Sequence, residues 1–172
     1  MTSWRVMMIA VDTNVLVYAH RAETPMHIEA DLRMKALSEG STPWAIPLPC
    51  ISEFLRVVTH PGVFRPPSEI SEALGFVASL VESPTCKLLR PGPDCLDYLF
   101  QAMVSAGVRG NLVFDAQIAA LCREHGVKEI LTNDRDFNRF EGMEIELLGS
   151  VHEPQAGYSS NITVRDFLKN RP

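Results

Sequence analysis

The feature that most restricts the fold of this chain is its alternation of short strand-like runs with longer helical ones. Residues 7–11, 44–48, 87–89, 129–132 and 144–148 have strand length and strand character, the second despite its prolines. Between them, helical patterns cover residues 25–40, 51–60, 68–82, 94–105 and 111–125. A further helix opens at Asp12-Thr13-Asn14 and continues through Val15, Leu16, Val17 and Ala19. Thr24-Pro25 reads as an N-cap followed by proline at the first helical position. Asn111 reads as the cap of a late helix that Gly126 ends. Residues 134–140 read as a turn region. Such alternation predicts an α/β fold, a mostly parallel sheet with helices on both faces, whose ligands bind at the carboxyl ends of the strands.

At 172 residues and 46% hydrophobic content the chain can bury one sizeable core without a disulfide or metal staple. Residues 1–148 are expected to form the domain. Residues 149–172 read as a polar tail with one short helix begun at Thr163. The longest apolar run, Val6 to Val11, is far too short to span a membrane, and Asp12 interrupts it before a secretory segment could develop. The expected protein is soluble and cytoplasmic, with no membrane partner. Cys50, Cys86, Cys95 and Cys122 are dispersed, with no C-x-x-C pair, and read as reduced thiols.

A net charge of -5 argues against nucleic-acid binding through a broad basic surface. Bound divalent cations would change that balance, since two of them bring the formal total from -5 to -1 and concentrate positive charge where a phosphate must sit.

The carboxylates therefore matter individually. Asp12 ends a buried strand, which suits either a helix cap or a functional site. Glu53 points about 160° from Ile51 at about 100° per residue, away from the apolar stripe of its helix, as a solvated or a cleft glutamate would. Asp115 shares a helix face with Ile118, Ala119 and Cys122 in an otherwise apolar stretch. A carboxylate there must be paired, bound to a cation, or eased by the helix dipole in the first turn. Asp134 and Asp136 follow the strand ending at Thr132, where turn chemistry and site chemistry both favour aspartate. Hard cations such as Mg²⁺ take oxygen ligands and need several acids from separate elements.

Four strings in this order and spacing resemble the PIN-domain nucleases, especially the VapC type of toxin. They are Val11-Asp12-Thr13-Asn14-Val15-Leu16, Ser52-Glu53-Phe54, Phe114-Asp115-Ala116-Gln117-Ile118-Ala119-Ala120 and Leu131-Thr132-Asn133-Asp134-Arg135-Asp136-Phe137. The resemblance covers about residues 7 to 148. It implies a three-layer α/β/α sandwich, a Mg²⁺ or Mn²⁺ site, and hydrolysis of RNA by an activated water to leave a 5'-phosphate and a 3'-hydroxyl. It assigns the catalytic quartet to Asp12, Glu53, Asp115 and Asp134, and the metal to Asp12, Asp115, Asp134 and Asp136. It gives Asn14 and Thr132 an orienting role, and implies a cognate antitoxin and a homodimer. Arg21, Arg56, Arg65 and Arg109 are candidates for gripping RNA, or are solvated surface charges.

Two rivals lead elsewhere. A haloacid-dehalogenase-like phosphatase also places an aspartate after its first strand, but expects a second acid two residues later, where this chain has Asn14. A non-catalytic PIN-like adaptor for RNA or protein has no need of clustered acids that raise one another's pKa.

Overall fold

The computed structural model describes residues 7–149, so the predicted helix at Thr163 lies outside the described residues. β1 (Ile9–Val11) is the middle strand of a five-stranded sheet. The strand order is β3-β2-β1-β4-β5, with β2 at Trp44–Pro47, β3 at Cys86–Leu89, β4 at Glu129–Thr132 and β5 at Glu144–Leu147. Every neighbouring pair is parallel, so the expected mostly parallel sheet is parallel throughout. Ile9 stands opposite Trp44 on one side and Glu129 on the other, and Val11 opposite Leu131.

Six α-helices connect the strands: α1 (Thr13–His20), α2 (His27–Glu39), α3 (Leu48–Val58), α4 (Ile70–Val81), α5 (Cys95–Ser105) and α6 (Leu112–Glu124). Crossovers between parallel strands are right-handed, so the connections moving outward through β2 to β3 cover one face. The return from β3 to β4, through α5 and α6, covers the other. The chain thus changes direction between β1 and β4. In parallel α/β sheets ligands bind beyond the strands' carboxyl ends at such a reversal.

The sheet is buried on both sides, which is why its central strands carry no polar alternation. Ala10, Val11, Trp44, Ala45 and Ile130 are all fully buried. Phe54, Val57 and Val58 of α3 and Ala116, Leu121 and Cys122 of α6 complete the core. At about 25 cal/mol per Å² of apolar area, burial of each large side chain here contributes about 1.5–3 kcal/mol.

Several element starts differ from the sequence expectation. The helix expected from residue 51 begins at Leu48, because Pro47 ends β2 in extended backbone and Pro49 enters the first helical turn, where its missing N–H costs nothing. α2 begins at His27 rather than after Thr24: the Thr24 hydroxyl donates 2.7 Å to the Arg21 carbonyl, closing a turn instead of capping the helix. Asn111 precedes α6 without a side-chain cap bond. Gly126 does end α6, at φ +70, with its N–H on Arg123 O and the Val127 N–H 2.8 Å from Cys122 O. These are the two bonds of a Schellman termination. The expected turn region holds a short 3-10 helix at Arg135–Arg139.

Candidate active site

β1 and β4 end side by side at this reversal, and their last residues set the site. The Asp12 backbone N–H donates 3.0 Å to Leu131 O, continuing the ladder one residue past β1. Asp12 then caps α1, its Oδ1 accepting from the Thr13 N–H at 2.7 Å. Capping and site chemistry are therefore not alternatives at Asp12, because the second oxygen faces β4. Oδ2 accepts from the Thr132 hydroxyl at 2.7 Å and from Asn14 Nδ2 at 3.1 Å.

Thr132 is the hub of this arrangement. Its hydroxyl donates to Asp12 and accepts from Asn14 Nδ2 at 3.1 Å and from the Asp134 N–H at 3.0 Å. The Asn14 side-chain oxygen in turn accepts from the Asn133 N–H at 3.2 Å. One threonine and one asparagine thus tie α1 to the segment that carries Asp134. Both are buried, where an unpartnered polar group costs about 1–3 kcal/mol.

Asp134 starts the 3-10 helix, its Oδ1 accepting from the Asp136 N–H at 2.9 Å, which folds the two aspartates back toward α6. There they meet Asp115, in the first turn of α6 and with no exposed surface. Carboxylate oxygens of Asp115, Asp134 and Asp136 all lie within 4.8 Å of one another. Asp12 stands outside this tight trio, its carboxylate held by donors of α1 and β4. Arg139 lies 3.6 Å from Asp136, on the same 3-10 helix.

Glu53 joins the site through Thr13. The Thr13 hydroxyl donates 2.9 Å to Glu53 Oε2 while its backbone N–H serves Asp12, so a single residue links two of the predicted acids. Glu53 is half-buried and also lies 3.8 Å from Arg56 on its own helix. Nothing in the sequence pointed to Thr13, since the link depends on how α3 packs against α1.

Two thiols sit near Asp12. Burial, then the Asp12 charge, pushes Cys122 up to about 12 and holds Cys50 well above the ordinary thiol range. Cys50 Sγ is 3.9 Å from Asp12 Oδ1. Both remain protonated near neutrality, so thiolate chemistry is not available here.

Of the candidate arginines, Arg21 is taken up within the protein. Its guanidinium donates to Ser68 Oγ (2.8 Å), Pro66 O (2.9 Å) and Glu23, and stacks over the Phe64 ring at 4.4 Å. Arg56, Arg65 and Arg109 are exposed.

Three clustered carboxylates from two elements form an all-oxygen donor set suited to a hard divalent cation, with Asp12 and Glu53 alongside. The donors lie at the switch point of a parallel α/β sheet, where such folds bind their ligands. The chain belongs to the PIN-domain family, whose model matches residues 9–143. It is 35% identical over 133 residues to a VapC ribonuclease of Mycobacterium bovis, covering 77% of this chain and 90% of that protein. To ribonuclease VapC31 of Mycobacterium tuberculosis it is 33% identical, covering 77% and 93%. Among solved structures, VapBC2 from Rickettsia felis, bound to a promoter DNA fragment, superposes with a TM-score of 0.60 at 16% identity, over 82% of this chain and 98% of that one. The fold is therefore that of the VapC structures.

Proposed function

We propose that the protein is a divalent-metal-dependent endoribonuclease and the toxin of a toxin–antitoxin pair. The observation that carries this reading is the meeting of fully buried Asp115 with Asp134 and Asp136 in a chain whose two relatives named above are ribonucleases. In such a cluster like charges oppose one another unless a cation joins them.

Asp115, Asp134 and Asp136 would hold Mg²⁺ or Mn²⁺, with Asp12 adding its charge from the β1 end. When bound, the cation supplies Lewis acidity toward a phosphate and lowers the pKa of coordinated water. The chain's own groups do the positioning. Thr132 and Asn14 keep the Asp12 carboxylate turned toward β4, and Thr13 sets the distance between Asp12 and Glu53. Glu53, half-buried and tied through Thr13 to Asp12, would accept a proton at its carboxylate.

The partners follow from the same reading: an RNA substrate, an antitoxin whose Arg or Lys side chains pair with the acidic cluster, and a second copy of this chain. The solved Mycobacterium tuberculosis VapC20, described as a sarcin-ricin loop cleaving toxin, matches at a TM-score of 0.57 with 17% identity over 76% of this chain and 92% of its own. That likeness supports the fold.

The test is cleavage of RNA by metal-stripped protein with and without added Mg²⁺ or Mn²⁺, repeated with Asp12→Asn and Asp115→Asn. Cleavage that needs the metal, and falls on the order of 100-fold in each variant, supports the site. Cleavage that ignores EDTA or survives both substitutions overturns it. Growth arrest on expression, relieved by a co-expressed antitoxin, tests the toxin role separately.

A further inference from the structure

Beside the acidic cluster, between the first turns of α3 and α6, lies an open groove of about 550 Å³. Its floor is apolar and its rim polar. Phe114 and Leu48 both line it while 59% and 38% exposed, so two large apolar side chains meet on one open surface. Ser52 of α3 and Gln117 of α6 bring a hydroxyl and an amide to the groove, and Arg56 brings a guanidinium whose side chain is 55% exposed.

The groove is continuous with the site already described. Glu53 lines it, and Glu53 is the residue that Thr13 ties to Asp12. Phe114 immediately precedes Asp115 on α6, so the ring and the buried carboxylate leave the same helical turn in different directions. Glu53 and the Phe114–Asp115 step of α6 are thus what join the groove to the acids.

We propose that the groove is a nucleobase subsite, in which an unstacked base of single-stranded RNA, next to the cleaved phosphate, lies against the Phe114 ring. This rests on the ribonuclease reading above. The chemistry matches on three counts. Bases splayed from single strands are bound by stacking on aromatic side chains and by hydrogen bonds to their edges, which Ser52 and Gln117 supply. The flanking phosphate needs a cation, which Arg56 supplies at the rim. The volume falls within the range of sites that take molecules of nucleotide size. The mixed apolar and amide lining selects a base over a bare ion, and the net negative charge of the surrounding acids leaves Arg56 as the local phosphate contact.

The experiment uses a single-stranded RNA that the full chain cleaves, and the same RNA with 2-aminopurine placed in turn at each position near the cut. Binding is read without metal by quenching of 2-aminopurine fluorescence, and cleavage is read with Mg²⁺ or Mn²⁺. The expected result is strong quenching at one position, lost in Phe114→Ala and kept in Phe114→Trp. KM for cleavage should rise on the order of ten-fold in Phe114→Ala with kcat held. An RNA with an abasic residue at that position should already show the raised KM and respond no further to the substitution.

Unchanged quenching and KM in Phe114→Ala, with cleavage intact, overturn the subsite and leave the ribonuclease reading standing. Quenching that depends on Phe114 in an RNA whose cleavage ignores EDTA supports the subsite and overturns the metal-dependent reading. If Phe114→Ala weakens capture of the antitoxin and leaves RNA binding and KM alone, the groove serves a protein segment and the proposal fails. Phe114 is exposed, so its truncation leaves the core in place, and a thermal melt of each variant checks this.

Discussion

The Thr132 hydroxyl stands 2.7 Å from Asp12 Oδ2, so the last residue of β4 clamps the first residue beyond β1. The Thr132 hydroxyl oxygen accepts from Asn14 Nδ2 and from the Asp134 N–H, and the clamp therefore sets the position of two acids together. Thr132→Val keeps the shape and removes all three bonds. It should cost about 2 kcal/mol in denaturant unfolding, in keeping with loss of a bond to a charged buried group. RNA cleavage should fall about 10- to 100-fold, the usual effect of losing an orienting partner, and Thr132→Ser should restore most of it. Wild-type cleavage by Thr132→Val would remove the clamp from the functional account.

The cluster of Asp115, Asp134 and Asp136 makes metal binding visible without any RNA. A ligand that binds only the folded state at about 100 times its Kd adds about 2.7 kcal/mol to stability. Mn²⁺ should therefore raise the Tm of metal-stripped protein by several degrees, and Asp134→Asn should abolish most of the rise. Equal melting curves for wild type with EDTA and with Mn²⁺ would speak against a metal site here.

Glu53 separates function from stability. It is half-buried on α3 and shares a hydrogen bond with Thr13 that glutamine can also accept. Glu53→Gln should leave unfolding unchanged within about 0.5 kcal/mol, as surface substitutions usually do. Cleavage should drop about ten-fold or more if its charge works in the site. Normal cleavage with normal stability would place Glu53 outside the quartet.

His20 gives the fold a pH dependence. Burial, and then the neighbouring Arg21 charge, hold it below the ordinary histidine value. Its ring packs against Phe54 and Phe76 at centroid distances of 5.3 and 5.0 Å, and hydrogen-bonds Ser68 Oγ. A folded pKa below the unfolded one means that the unfolded chain binds more protons in the window between them. Stability should then fall as the pH drops below about 6.5, and should not change through this group above it. In urea titrations from pH 7 to 5, His20→Asn should show a flatter profile than wild type. Parallel slopes would assign the acid sensitivity to other groups.

The part of this architecture legible along the chain is the part that depends on local pattern. Residues 129–132 read as a strand from their own composition, and β4 has those bounds. Asp115 stood out because a carboxylate among Ile118, Ala119 and Cys122 must be accounted for wherever the helix goes, and it is fully buried. Asp12 and Asp134 were placed by their position just past strand ends, which in a parallel sheet is where a ligand sits. Short-range competition decided the misplaced boundaries. The Thr24 hydroxyl donates to the Arg21 carbonyl and closes a turn where a cap would accept from a helix N–H, and two prolines bracketing Leu48 start α3 three residues early.

The sequence by itself determined the α/β alternation, the buried acid on α6 and the acids at strand ends, because periodicity of 3.6 or 2 and the cost of a buried charge act through neighbours in the chain. The tertiary structure alone decided that Thr13 joins Asp12 to Glu53 and that Thr132 joins Asp12 to Asp134. It also decided that Phe114 and Leu48, on helices far apart in sequence, face one groove. Those relations depend on which strands are neighbours and on the register between them. The order β3-β2-β1-β4-β5 is fixed by the summed burial of the whole core, not by any one segment.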